Sequence, residues 1–81
     1  MSRLRVISAE GDRTVVWDRE KVEAGDPEAI AAVKEAERIF NEARSRGGVA
    51  FKVKANEPGE RIDTFDEKAE QIIVVPRMVG G

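Results

Sequence analysis

One helix, sharply delimited at both ends, constrains the fold most, because it separates two groups of short apolar segments. Asp26 and Pro27 form its start, since aspartate caps the first free amides and proline favours the first helical position. Gly47 and Gly48 form its stop, because glycine readily adopts the left-handed backbone that follows a helix. The sequence therefore predicts a helix over about residues 27–46.

Apolar residues recur along this helix at helical spacing, and the charged residues between them point elsewhere. The apolar positions are Ala29, Ile30, Val33, Ala36, Phe40 and Ala43. We therefore expect the helix to pack by a single face.

Two short segments rich in β-branched residues precede the helix, Leu4–Ala9 and Thr14–Asp18. The glycine in Gly11-Asp12 permits a tight connection between them, which predicts a β-hairpin. Alternation on the second strand places Trp17 with Val15 on one face, so we expect Trp17 in the core beneath the helix. The polar stretch after this strand, residues 19–25, is interpreted as a connection.

Three further strands are predicted after the helix. In the first, Val49, Phe51 and Val53 alternate with Ala50, Lys52 and Lys54, and we expect the first three to face the core. Arg61–Phe65 is short enough for an edge strand. Ile72–Val75 is continuously apolar, which indicates burial on both faces at the centre of a sheet, and Pro76 should end it.

The predicted order is two strands, a helix and three strands in one domain, which calls for a mixed sheet with the helix across one face. The last strand would then lie parallel to the first. We therefore predict an α+β fold, a ubiquitin-like β-grasp, over residues 1–76, followed by a flexible tail over residues 77–81.

Composition excludes several classes of function. The 81 residues include no cysteine and no histidine, which removes disulfides, thiolate metal sites, thiol nucleophiles and the commonest general base. A net charge of −2 argues against a nucleic-acid surface, and the longest apolar run is far short of the ~20 residues that span a bilayer. We expect a cytoplasmic protein with no bound metal or cofactor, no nucleic-acid or membrane partner, and no catalysis of its own.

Gly80 and Gly81, which follow the apolar strand and its proline, are the most informative residues for function. Glycine lacks Cβ, so two glycines can thread a narrow active-site tunnel and leave the last carbonyl carbon open to attack. The α-carboxylate is ionised at neutral pH and needs activation before it can act as an acyl donor. We predict that these two residues undergo activation or conjugation, and that Pro76, Arg77, Met78 and Val79 guide them into a partner. The other interpretation is a frayed end.

The stretch from Phe65-Asp66 through Ile72–Val75 to Pro76-Arg77-Met78-Val79-Gly80-Gly81 resembles the C-terminal end of ubiquitin-like β-grasp sulfur carriers. It is most similar to the small subunits of molybdopterin synthases, with Arg77 in place of a second proline. This resemblance implies that an activating enzyme of the ubiquitin-activating type adenylates the Gly81 carboxylate with ATP. A thiocarboxylate would then deliver sulfur to an acceptor enzyme, or a thioester would transfer the chain to amines of target proteins.

A partner patch on the sheet surface is predicted from Ile7, Val16 and Ala50, with Lys52 and Lys54 as a basic strip that fits an acidic partner. Relatives of the sulfur-carrier and modifier type use an apolar patch of this kind. The alternative function is a non-catalytic β-grasp protein-interaction module in which the two glycines are incidental.

Overall fold

The computed structural model describes residues 1–77, which form a five-stranded mixed sheet and two helices. The elements in chain order are β1 (Ser2–Val6), β2 (Arg13–Trp17), α1 (Arg19–Glu23), α2 (Pro27–Ser45), β3 (Val49–Val53), β4 (Glu60–Ile62) and β5 (Gln71–Val75).

The strand order in the sheet is β2-β1-β5-β3-β4, so β5 lies at the centre. It pairs in parallel with β1 and antiparallel with β3, while β2 and β4 occupy the two edges. The predictions of an α+β fold with a mixed sheet, one main helix and a central last strand parallel to the first are confirmed. A parallel pair needs a long crossover connection, and α2 lies within that connection.

The main helix begins and ends as predicted. The Asp26 side chain accepts a hydrogen bond from the Ala29 amide at 3.1 Å, and Pro27 occupies the first turn. The helix ends at Ser45, and Gly47 follows in the left-handed region with φ of 91°. The buried residues are Ala29, Ala36, Ile39 and Phe40, of which Ile39 was not among the predicted apolar positions.

The opposite side of α2 is charged and solvated. Arg38 bonds to Glu35 and Glu42 one turn away on either side, and these side chains are substantially exposed. The hydrogen bond from the Arg38 guanidinium holds the pKa of Glu35 below its usual value. Exposed pairs of this kind contribute little to stability, so α2 is held by its buried face.

Trp17 lies in the core beneath the helix, as predicted, with 2% of its surface exposed. Its indole Nε1 donates to the Glu67 carbonyl at 3.0 Å. Its ring centroid lies 5.6 Å from that of Phe65, which in turn lies 5.7 Å from that of Phe40. Through this hydrogen bond and these ring contacts, Trp17 links the connection before β5 to the hairpin and to α2.

The predicted orientation of β3 is wrong. Ala50 pairs with Val74 and is fully buried in the core, and Lys52 pairs with Ile72 on the same side. Val49, Phe51 and Val53 therefore lie on the opposite face of the sheet. Alternation establishes only that the two sets of residues separate, whereas the pairing of Ala50 and Lys52 with the buried Val74 and Ile72 sets which side lies beneath α2.

Two local elements also differ from expectation. Residues 19–23 form the short helix α1, because the Asp18 side chain accepts hydrogen bonds from the amides of Glu20 and Lys21 at 3.0 and 3.4 Å. The edge strand β4 ends at Ile62, and Phe65 packs against the core. The Asp18 cap and the packing of Val22 against the core both stabilise this helical turn.

Replacing Trp17 by phenylalanine should lower the free energy of unfolding by about 2 kcal/mol, because it removes buried volume and leaves the Glu67 carbonyl without its donor. Urea denaturation followed by circular dichroism measures this, since Trp17 is the only tryptophan. Val16→Ala on the same strand, where the side chain is 45% exposed, should cost less than about 1 kcal/mol. Equal losses for the two variants would contradict the placement of Trp17.

Candidate functional site

The chain leaves the centre of the sheet at the end of β5. Val75 pairs with Val49, and the Ile7 amide donates to the Val74 carbonyl at 2.9 Å. Pro76, which follows the strand as predicted, and Arg77 are both exposed. We call the end of β5 with Pro76 and Arg77 the tail exit. It lies between the end of β1 and the loop that joins α2 to β3.

The remaining predicted tail residues, Met78, Val79, Gly80 and Gly81, lie outside the described residues. Their predicted roles in docking and activation therefore stay predictions.

A pair of glycines adjoins the tail exit on the α2 side. A β-carbon on Gly48 would lie 2.8 Å from the Ala43 carbonyl oxygen and 3.0 Å from Cγ1 of Val74, so the loop packs closely between helix and central strand. A β-carbon on Gly47 would lie 3.2 Å from Cδ of Arg77. The two glycines thus let the backbone approach β5 on one side and the start of the tail on the other.

Arg44 supports this loop from the last turn of α2. Its Nη1 donates to the Gly48 carbonyl at 3.3 Å, and its Nη2 donates to the Asp63 carboxylate at 3.2 Å. One side chain therefore connects the end of the helix, the loop before β3 and the segment after β4.

The face of the sheet opposite α2 carries an apolar cluster beside the tail exit. We call it the open-face cluster; each member is half-buried, and its residues are Val49, Phe51, Val53, Ile73 and Val75. At its centre, Ile73 and Phe51 are direct partners, and the next partners outward in the same row are Arg5 and Arg61. The cluster is thus apolar in the middle, with Arg61 on the β4 side and the Arg5–Asp12 ion pair on the β1 side.

Arg5 lies on the β2 side of this row and is ion-paired with Asp12 at 2.6 Å. Beyond β1 on the same face, Val16 pairs with Arg3 and is exposed. Of the predicted patch, Val16 and the half-buried Ile7 are accessible, and the strand alternation places both on the open face.

The placement of Ala50 in the predicted patch is wrong, because its side chain is fully buried on the α2 side. The lysines do not form the predicted outer strip. Lys52 lies 3.6 Å from Asp66 and 3.8 Å from Glu60, and Lys54 lies 3.9 Å from Glu57. Nearby carboxylates therefore partly compensate both ammonium groups.

Sequence reasoning missed the open-face cluster, although a signal for it was present. A continuous apolar strand such as Ile72–Val75 needs cover on both faces, whereas α2 is the only long helix predicted and covers one. The surplus apolar residues on the other face were the sign of an apolar surface that α2 does not cover.

The structure offers little for a metal or a small ligand. Within residues 1–77, no group of three acidic side chains could hold a metal ion. A concavity of about 610 Å³ beside the β3–β4 loop is lined by charges of both signs, Arg19, Lys52, Lys54 and Lys68 with Glu57, Glu60, Asp66 and Glu70. Several of these charges pair with one another, so the concavity has no net preference for one sign of ligand. Within the same range, no helix combines the length and the apolar character needed to cross a membrane.

Comparisons with protein-family models, with curated proteins and with solved structures found no match to this chain.

Replacing Gly48 by alanine should lower the free energy of unfolding by about 1–3 kcal/mol, because the new methyl group would overlap the Ala43 carbonyl oxygen. Chemical denaturation measures the effect. The matched control is Gly59→Ala, where the nearest atoms lie 3.9 Å from the new carbon and no loss is expected. A neutral Gly48→Ala would show that the loop is not closely packed on α2.

Proposed function

We propose that this protein is a ubiquitin-like β-grasp carrier or modifier whose Gly81 carboxylate is activated by a separate adenylating enzyme. The strand order β2-β1-β5-β3-β4, with β1 parallel to β5 and a helix across one face, is compatible with the β-grasp arrangement. The fold alone hosts many functions, so we infer activation from the tail and its surroundings.

The observation that carries the proposal is the position of the tail exit. The strand that anchors the tail also contributes Ile73 and Val75 to the open-face cluster. A partner that covers this cluster therefore lies next to the backbone that leads to Gly80 and Gly81. Binding of the folded domain and capture of the tail become parts of one docking event.

The chemistry requires two steps in the partner. The Gly81 carboxylate attacks the α-phosphorus of ATP, which gives an acyl adenylate and releases pyrophosphate. A sulfur nucleophile then attacks the activated carbonyl carbon and releases AMP, leaving a thiocarboxylate or a thioester. The absence of Cβ on both glycines leaves this carbon unhindered. In this scheme ATP is bound by the partner, and the present chain is a substrate with no catalytic group of its own.

The open-face cluster also indicates the surface of the partner. Its apolar centre favours apolar side chains, and Arg61 beside it favours a carboxylate on the partner, whereas Arg5 is already paired with Asp12. We therefore propose a partner surface with an apolar centre and an acidic residue on the side that faces β4. Pro76, Arg77, Met78 and Val79 would then lead the tail from this surface into the adenylation site.

The second candidate function is a protein-interaction module without activation chemistry. The partly accessible apolar side chains of the open-face cluster, with the exposed Val16 on the same face, favour it independently, because such a surface can bind a partner whether or not a tail is used. Deleting Gly80 and Gly81 separates the two candidates, since only a carrier or modifier loses its activity while retaining a folded binding surface.

Incubation of the protein with ATP and a lysate of its source organism should give a covalent product at Gly81, detected by intact-mass spectrometry and denaturing gels. Exchange of one terminal oxygen for sulfur identifies a sulfur carrier, and adducts of higher mass identify a protein modifier. The same mass measurement on the protein purified from its source tests whether Gly81 carries a free carboxylate.

The control for this experiment is the chain without Gly81, which should give neither product. Absence of both products from the complete chain, in a lysate with a demonstrably active adenylating enzyme of this type, would contradict the proposal.

Replacing Phe51 by serine should slow product formation about tenfold at low protein concentration, because it removes the central apolar contact with the partner. With Lys54→Ser, a change outside the open-face cluster, the rate of product formation should stay within about twofold of the original rate. The rates come from the mass measurement, and circular dichroism checks that both variants are folded. Equal rates for the two variants would exclude the open-face cluster as the docking surface.

A further inference from the structure

Two glycines in this protein share a backbone conformation but not their surroundings. Gly25 follows α1 with φ of 81°, and Gly47 follows α2 with φ of 91°. A β-carbon on Gly25 would meet no atom within 4 Å. On Gly47 it would lie 3.2 Å from Cδ and 3.5 Å from Cβ of Arg77, which is 30 positions further along the chain.

The left-handed backbone by itself strains a side chain at either glycine, although asparagine tolerates this region better than most residues and Asn56 adopts φ of 64° in the same protein. The bare Cα of Gly47 has a second effect that Gly25 lacks, because it leaves space for the Arg77 side chain. At 3.2 Å the contact is tighter than ordinary van der Waals packing, so Arg77 must shift by a few tenths of an ångström to admit a side chain on Gly47.

We propose that Gly47 is a positioning residue for the tail, a seat on which the aliphatic part of Arg77 rests. The seat fixes the place at which the chain turns away from β5 before residue 78. Long cationic side chains commonly pack their methylenes while the charged end stays in water, and Arg77 is exposed overall. The expected effect on adenylation rests on the proposed function, whereas the contact between Gly47 and Arg77 is independent of that function.

The seat is built on well-fixed backbone. The amide of Gly47 donates to the Arg44 carbonyl at 2.9 Å, and the amide of Gly48 donates to the Ala43 carbonyl at 3.0 Å. Gly48 is packed against Val74 of the central strand, and Arg44 donates to its carbonyl. A tail whose first residue rests on such a surface loses less conformational freedom when a partner captures it.

The direct test compares Gly47→Asn with Gly25→Asn by NMR relaxation of the complete chain. The backbone strain on asparagine is similar in the two places, because their φ angles are 81° and 91°, so the two variants differ in the contact with Arg77. In the original protein and in Gly25→Asn, the Arg77 amide should have an order parameter near 0.8, with a nuclear Overhauser contact between Gly47 Hα and Arg77 Hδ in both. In Gly47→Asn the order parameter should fall below about 0.6.

The proposal that Gly47 positions Arg77 would be overturned by an Arg77 order parameter that is unchanged in Gly47→Asn. It would also be overturned if that order parameter were already below about 0.6 in the original protein. Urea denaturation of both variants checks that they are equally folded.

The second test measures pyrophosphate exchange from ATP, with the adenylating activity enriched from the source lysate. Gly47→Asn should raise the KM for this protein roughly fourfold for each methylene of Arg77 that leaves the seat, with kcat unchanged. Gly25→Asn should leave both constants unchanged. An unchanged KM despite the loss of order at Arg77 would overturn the positioning role.

The two tests also separate this inference from the proposed function. If the original protein supports no exchange at all, adenylation fails as a function, and the NMR comparison alone still decides whether Gly47 seats Arg77.

Discussion

The burial of Ile72 and Val74 beneath α2 is the interaction on which the rest of the structure depends. Both side chains are almost completely removed from water, and they lie on the strand that pairs with β1 and with β3. Their burial fixes the register of the central strand, since a slip of one residue would exchange the faces of all its side chains. It also forces Ile73 and Val75 onto the opposite face, which creates the open-face cluster.

Much of the fold could be predicted from the sequence because its signals are local and strong. Asp26-Pro27 and Gly47-Gly48 delimit α2, and the continuous apolar run of Ile72–Val75 indicates the central strand. The orientation of β3 could not be predicted in this way, because both of its faces carry apolar residues. Which face lies beneath α2 is set by the pairing with Ile72 and Val74, which are distant in the sequence from β3.

The candidate site was predictable in part. The end of the strand at Pro76 and the exposure of Val16 follow from proline chemistry and from alternation. The error at Ala50 follows directly from the inverted orientation of β3. The contact between Gly47 and Arg77 joins residues 30 positions apart, so no local pattern could have indicated it.

The central position of β5 has a mechanical consequence. A force applied through residue 77 acts along the axis of β5, whereas the hydrogen bonds to β1 and β3 run across it. Such a pull loads both ladders in shear, so their bonds must yield together instead of opening one after another from an edge. A pull on residue 77 along the strand is therefore opposed by both ladders at once.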